Sequence, residues 1–340
     1  MSELPSFETE TAGGNLSRRS LISAFAAASA GMAVSAAYGG SAEAAAPSGG
    51  TAPTAAPGPE PLVDRAFVRI REGLVHYRHV GVAGGKRSRG SRIPLYLAHA
   101  GPGSSRGMEG LMRRLGGSRV LLAPDTLGHG DSAPPDVAAP DVAYYADSVV
   151  RILDALDIEQ IDYYGAHTGA HIGCELALRA PGRVRRLILD GVTVFPAEVR
   201  EEYLERYAPP MLPDEFGRHL PWAWQFVRDM SSYFPHYRRE VAYRLQNNVP
   251  SPESLHAGVL DVLKALKTYH LGYHAVFRHE IEKRLPLLSL PVMCMGRDSD
   301  PVTRYLDQAA ALVPGVRKEL VRRSDGVNAA AAVIEDFLGR

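Results

Sequence analysis

Cysteine is scarce. Cys174 and Cys294 are the two thiols in 340 residues. Two cysteines in apolar surroundings make no disulfide framework, and without a CxxC pair there is no thiolate zinc site to build. Excess charge is missing too: Lys plus Arg and Asp plus Glu each number 38. That balance offers no basic face for nucleic acid and no polybasic tract for an anionic membrane. No hydrophobic run suits a stable membrane anchor. The nearest, from Leu21 to about Gly40, is made largely of Ala and Gly and is too short and small-sided to span. Histidine is absent from the last part of the chain: there are twelve, and the last is His279. What remains is ordinary globular composition, 45% hydrophobic, in a chain long enough for one large domain or two modest ones.

The N-terminus carries Asn15-Leu16-Ser17-Arg18-Arg19-Ser20-Leu21-Ile22, then the mild Ala/Gly run, then Ala42-Glu43-Ala44 and Ala44-Ala45-Ala46. Paired arginines, weak hydrophobicity and small-x-small sites are similar to a twin-arginine signal. Residues 1–46 are therefore expected to be a signal peptide, and the protein to be exported to the periplasm or outside the cell. Residues 47–62, rich in Pro, Ala, Gly and Ser, read as a flexible linker.

Beyond the linker, short apolar runs alternate with helical patterns. Strands are expected at 67–70, 74–80, 94–98, 119–123, 160–164, 185–190, 291–295 and 318–321. Tyr145, Val149, Ile152, Leu153 and Leu156 share one helical face, and further helices are expected to about Ala180, over 303–313 and over 328–338. Such alternation implies α/β architecture, a mostly parallel sheet with helices on both faces. Residues 196–285 break the pattern, being long, aromatic-rich and mainly helical in character. They are expected to form a cap over the carboxyl ends of the strands, where open α/β sheets bind ligands. The core is then 63–195 plus 286–340.

Four landmarks occur in order: His99-Ala100-Gly101-Pro102-Gly103-Ser104-Ser105, Ala123-Pro124-Asp125-Thr126-Leu127-Gly128-His129-Gly130-Asp131-Ser132, Tyr164-Gly165-Ala166-His167-Thr168-Gly169-Ala170, and Met295-Gly296-Arg297-Asp298-Ser299-Asp300-Pro301. From about residue 64 onward the chain resembles the cap-bearing α/β-hydrolase superfamily. The first landmark resembles its oxyanion loop, the second its PDxxGxGxS turn, the third its nucleophile elbow and the fourth its acid loop. The resemblance is specific for the fold and much less so for a reaction. Serine members have G-x-S-x-G at the elbow. Here both glycines stand, but the centre is His167. Serine members also place a histidine after the acid, and no histidine follows Asp300. Ordinary acyl-serine chemistry does not carry over.

The resemblance implies His167 as the central site residue and Asp300 as its acid partner, with Asp298 second. It implies an oxyanion hole from the Gly101 and Thr168 amides. At the positive end of a helix, His167 is expected to lean neutral. His99, Trp222, Trp224 and Tyr273 are candidates to line the substrate pocket. Three readings follow. One is an enzyme acting on a carbonyl-containing small molecule, a hydrolase or lyase, with His167 as base or nucleophile. Another is a binding protein that retains the pocket without chemistry. The third is a metal shared by His167 and His171, four apart; the expectation is no metal. The other histidines read as structural, and Asp190 as a minor alternative acid. No cofactor is implied, and the expected partner is a small molecule.

Overall fold

The computed structural model describes residues 61–81, 92–117, 119–246, 248–326 and 328–339. The expected signal peptide, and all of the expected linker except Pro61 and Leu62, lie outside them.

The strands are β1 (Asp64–Ile70), β2 (Gly73–Val80), β3 (Leu95–Ala98), β4 (Leu121–Pro124), β5 (Ile161–Ala166), β6 (Val184–Asp190), β7 (Val292–Arg297) and β8 (Arg317–Val321). They form one sheet in the order β1-β2-β4-β3-β5-β6-β7-β8. β1 and β2 are antiparallel, and β2 joins β4 antiparallel. From β4 to β8 every pairing is parallel. The central strands β3, β4 and β5 are buried along their whole lengths, which is why they read as continuous apolar runs without alternation.

Helices cover both faces. α2 (Val142–Ala155) and α3 (Thr168–Arg179) pack on one face, and α1 (Glu109–Leu115) and α10 (Ala329–Leu338) on the other. α2 starts at Asp141, whose carboxylate accepts the Tyr144 amide, and buries Val142, Tyr145, Val149, Ile152 and Leu153. α1 is not foreseen in the sequence: its seven residues bury only Met112 and Leu115, too few to show a period. Residues 303–313 are less helical than expected. A 3₁₀ turn, Pro301–Tyr305, comes first, and the α-helix α9 is confined to Leu306–Ala311.

Between β6 and β7 the chain forms α4 (Ala197–Arg206), α5 (His219–Ser232), α6 (Pro252–Lys264), α7 (Tyr269–Arg278) and α8 (Ile281–Arg284). This insertion has an aromatic core of its own around Tyr203, Tyr207, Phe226, Tyr269 and Phe277. It is fastened to the loops that leave the carboxyl ends of β3 and β4. Ser104 and Arg106 both bond Asp261, at 3.0 and 2.6 Å, and Lys264 pairs with Asp131 at 2.7 Å. No helix among the described residues is long and apolar enough to cross a membrane. Cys174 and Cys294 are buried and free; burial pushes the Cys294 thiol up to about 12.

Candidate active site

The turn from β5 into α3 is sharp. His167 has φ +47° and ψ −104°, a backbone state that costs energy for a residue with a side chain. Its neighbours explain how the turn is held. A Cβ on Gly165 would lie 2.3 Å from the Gly169 carbonyl oxygen, and one on Gly169 would lie 2.6 Å from the Ala98 carbonyl oxygen. β5, α3 and β3 approach so closely that only glycine fits. The His167 amide donates to the Asp190 carbonyl at 2.9 Å, and the side chain is projected above the sheet.

There it meets the acid loop. His167 Nε2 lies 2.6 Å from Asp300 Oδ2. The imidazole is about one-third exposed, whereas the carboxylate is buried. Asp300 is fixed in turn: its Oδ1 accepts the Val302 amide at 3.0 Å, capping the turn after β7. Asp298 is exposed. The choice between the two acids therefore falls on Asp300.

The protonation expected from helix position is corrected. Burial does oppose charge on His167, but the charge and hydrogen bond of Asp300 outweigh it. Asp190 adds to the attraction and Arg297 opposes it; the net result is a pKa above the ordinary imidazole value. Beneath the ring sits Gly191, at φ +67°, where a Cβ would come within 2.7 Å of His167 Cδ2.

Gly101 and Thr168 meet in an unforeseen way. The Gly101 amide donates to the Thr168 hydroxyl at 3.2 Å, so a side-chain oxygen stands where an oxyanion was expected. The Thr168 amide is in the first turn of α3, which supplies it no intrahelical acceptor. Tyr273 arrives from α7 and donates its hydroxyl to the Gly101 carbonyl at 3.0 Å. Gly101, Thr168 and Tyr273 are thus brought together beside His167.

Three expectations for pocket-lining residues are corrected. His99 is buried; its Nε2 accepts the Thr126 amide at 3.0 Å and its Nδ1 donates to the Ala100 carbonyl at 2.9 Å. With both nitrogens committed to backbone, His99 braces loops. Trp222 stacks on Phe226 at 5.1 Å in the insertion core. Trp224, two residues on and so on the opposite side of α5, is 41% exposed.

The shared-metal reading of His167 and His171 also yields to the geometry. His171 is buried, with Nδ1 3.0 Å from His279 Nδ1 and Nε2 3.1 Å from Thr193 Oγ1. His279 Nε2 continues to Glu175 at 2.9 Å, and Arg284 bonds the same carboxylate at 2.6 Å. Both His171 nitrogens are in use. Burial, then His279 and His167, hold its pKa well below the ordinary value. The cluster His76, Asp125 and Asp131 has metal-ligand spacing, but Asp125 already accepts from His76, the Ser105 amide and the Asp131 amide and serves as a loop brace. Asp190 is no alternative acid for the imidazole: Tyr164 bonds it at 2.5 Å and Arg297 at 3.0 Å.

Sequence reasoning missed Thr193, Glu175, Arg297 and the role of His279. Their partners lie tens of residues away, and no local motif marks them.

Comparison with known proteins fits this geometry. Residues 93–326 match the family described as the alpha/beta hydrolase fold. The 2-hydroxymuconate semialdehyde hydrolase of Pseudomonas sp. (strain CF600) is 42% identical over 105 residues, 30% of this chain and 37% of that protein. An uncharacterized hydrolase of Saccharomyces cerevisiae is 29% identical over 190 residues, 55% of this chain and 60% of that one. The chain spans under half the length of the first curated relatives it matches. Among solved structures, epoxide hydrolase A from Mycobacterium thermoresistibile superposes with a TM-score of 0.63 at 19% identity, covering 82% of this chain and 98% of that one. The enol-lactonase from Burkholderia xenovorans gives 0.57 at 18%, covering 80% and 99%. Elbow, acid loop and parallel sheet, together with a family match over more than half its length, place this chain in the alpha/beta hydrolase family.

Proposed function

We propose that this protein is a hydrolase of carbonyl-containing small molecules in which the His167–Asp300 pair is the general base. The 2.6 Å contact between a buried carboxylate and a part-exposed imidazole carries the reading. With Nε2–H donated to Asp300, the lone pair on Nδ1 is left for the site. Nδ1 takes a proton from water, the resulting hydroxide attacks the carbonyl carbon, and the proton returns to the leaving group as its bond to that carbon breaks. The raised pKa strengthens His167 as a base. Negative charge on the carbonyl oxygen is received by the Thr168 amide, and by the Gly101 amide once the Thr168 hydroxyl turns away. No acyl-enzyme is needed, in keeping with the absence of a serine at the elbow. Relatives named as 2-hydroxymuconate semialdehyde hydrolases support a substrate of that type.

A second reading, a ligand-binding protein without turnover, is favoured by one observation: the Gly101 amide is already occupied by Thr168. An assay on 2-hydroxymuconate semialdehyde, enol lactones and activated esters, beside His167→Ala, separates the two. Turnover lost in the variant supports the base; saturable binding without product supports the second reading. We also infer that residues 1–46 direct export, on the strength of Arg18-Arg19 and the Ala-rich run that follows. Replacing both arginines by lysine is expected to keep the protein inside the cell, and unchanged export would rule the signal out.

A further inference from the structure

We propose that a second cleft, apart from His167, binds an amphiphile with an anionic head, an alkyl carboxylate. The cleft lies on the seam between the loop after β4 and the insertion. Its volume is about 440 Å³, within the range of small-molecule pockets. Pro213, Leu220, Leu263 and Leu266 supply apolar wall, and Lys264 and Lys267 stand at its edge. The floor is close-packed: a Cβ on Gly128 would lie 2.9 Å from the Thr268 side chain, and Thr268 bonds the Gly128 carbonyl. None of the residues around the cleft belongs to the His167–Asp300 site.

The charges select the sign of the head group. Lys264 is committed to Asp131 at 2.7 Å. Lys267 is exposed and forms no hydrogen bond or ion pair among the described residues. The rim therefore keeps one uncompensated ammonium beside an apolar wall. The surface outside selects the tail. Leu220 and Trp224, one turn apart on α5, are 51% and 41% exposed, and Leu212 and Phe216 in the segment before the helix are 62% and 75% exposed. Of these four, Leu220 also lines the cleft. Leu220 and Trp224, one turn apart on α5 and left in water, with Leu220 also lining a cleft that an unpaired Lys267 lines, match an alkyl chain ending in a carboxylate. Covering them removes apolar area from water and gives Lys267 a partner.

The test is a titration of the full chain with dodecanoate below its micelle concentration, followed by calorimetry and by Trp224 fluorescence. One saturable site is expected. Lys267→Glu is expected to weaken binding by about tenfold, the equivalent of ~1.4 kcal/mol, and Leu220→Asp at least as much; both positions are exposed, and a thermal melt verifies folding. Dodecyltrimethylammonium, with the same tail and the opposite charge, is expected to bind more weakly, and His167→Ala to bind dodecanoate as the parent does. Non-saturable uptake, equal binding of the two amphiphiles, or unchanged affinity in both surface variants overturns the proposal. So does a concentration-dependent dimer that hides Trp224 without dodecanoate. Loss of binding in His167→Ala would place the amphiphile in the catalytic site and also overturn it. The result is independent of whether the His167 site turns over a substrate.

Discussion

His167 and His171 stand four residues apart at the head of the same helix, and their surroundings treat them in opposite ways. His167 is part exposed and faces a carboxylate, so its proton is held more tightly than usual. His171 is sealed between Thr193 and a second imidazole, so its charged form is resisted. Helix position is common to both and decides neither. What differs is the first polar neighbour: a carboxylate in one case, a second imidazole in the other. One histidine faces the acid loop and is the base of the proposed reaction, whereas the other is a joint that ties α3 to the end of the insertion through His279 and Glu175.

Replacing the two histidine systems separately should break the molecule in different ways. The largest effect is expected from His167→Ala, a loss of roughly 10²–10⁴ in turnover with the fold intact. Steady-state kinetics and a melt on the same sample check it, and retained turnover would remove His167 from the chemistry. Next comes Glu175→Gln, expected to cost about 1–3 kcal/mol of stability because it removes the negative charge that His279 and Arg284 share and turns one of its two acceptor oxygens into a donor, while leaving His167 and Asp300 in place. Urea unfolding measures it; a loss of turnover with unchanged stability would contradict the division of roles.

Asp300→Asn sharpens the other side. Removing the carboxylate takes away the main influence that raises the His167 pKa. A base works only when unprotonated, so the acid limb of the rate profile should move to lower pH, with a lower plateau. An imidazole titration by NMR reads the same shift directly, and an unmoved limb would mean that Asp300 does not set the charge.

The smallest effect is the pH dependence of stability, in which the histidines carry opposite signs. The folded-state pKa of His171 is depressed, so below pH 6.5 the unfolded chain takes up a proton that the folded chain refuses, and stability falls as pH drops. Glu175 acts in the same direction. Burial works against its charge, but His279 and Arg284 hold the carboxyl at about 2 against an ordinary 4.5; its contribution is present above about 4.5 and is lost as pH falls towards 2. His167 is the reverse: raised in the folded state, it stabilises below pH 6.5 and loses that contribution as pH rises through the folded value. Solvent at its part-exposed ring keeps this term small. A series of melts from pH 8 to 4 should show net loss towards acid, and Glu175→Gln should flatten it below pH 4.5.

Much of the fold was legible because short-range rules act along it. Four landmarks, two close-packed glycines at the elbow and apolar runs of strand length were enough to place the strands and to expect a mostly parallel sheet; the strand order itself was not read. The structure brings the landmark residues together, His167 with Asp300 and Gly101 with Thr168, although the Gly101 amide meets the Thr168 hydroxyl rather than standing open. The site was illegible where distant segments meet. His279 lies 108 residues from His171, and Arg297 lies 107 from Asp190; nothing local announces either pair. The protonation of His167 was read from the helix end alone, although Asp300 was named as its partner; what the sequence does not give is that the carboxylate closes to 2.6 Å and outweighs the helix end. Trp222 and Trp224 mislead in another way: aromatic content marks the insertion, but the helical turn decides which ring enters its core.

The bond between Gly101 and Thr168 bears on selectivity. On the proposed reading, a guest that needs the Gly101 amide must first evict the Thr168 hydroxyl that accepts from it, so its apparent affinity is reduced by the fraction of molecules in which that bond is open. Weak acceptors lose that competition, whereas an oxygen that gains full negative charge during reaction wins it. Under that proposal the threonine is an internal competitor, one that admits guests by the charge they develop and filters out those that merely fit.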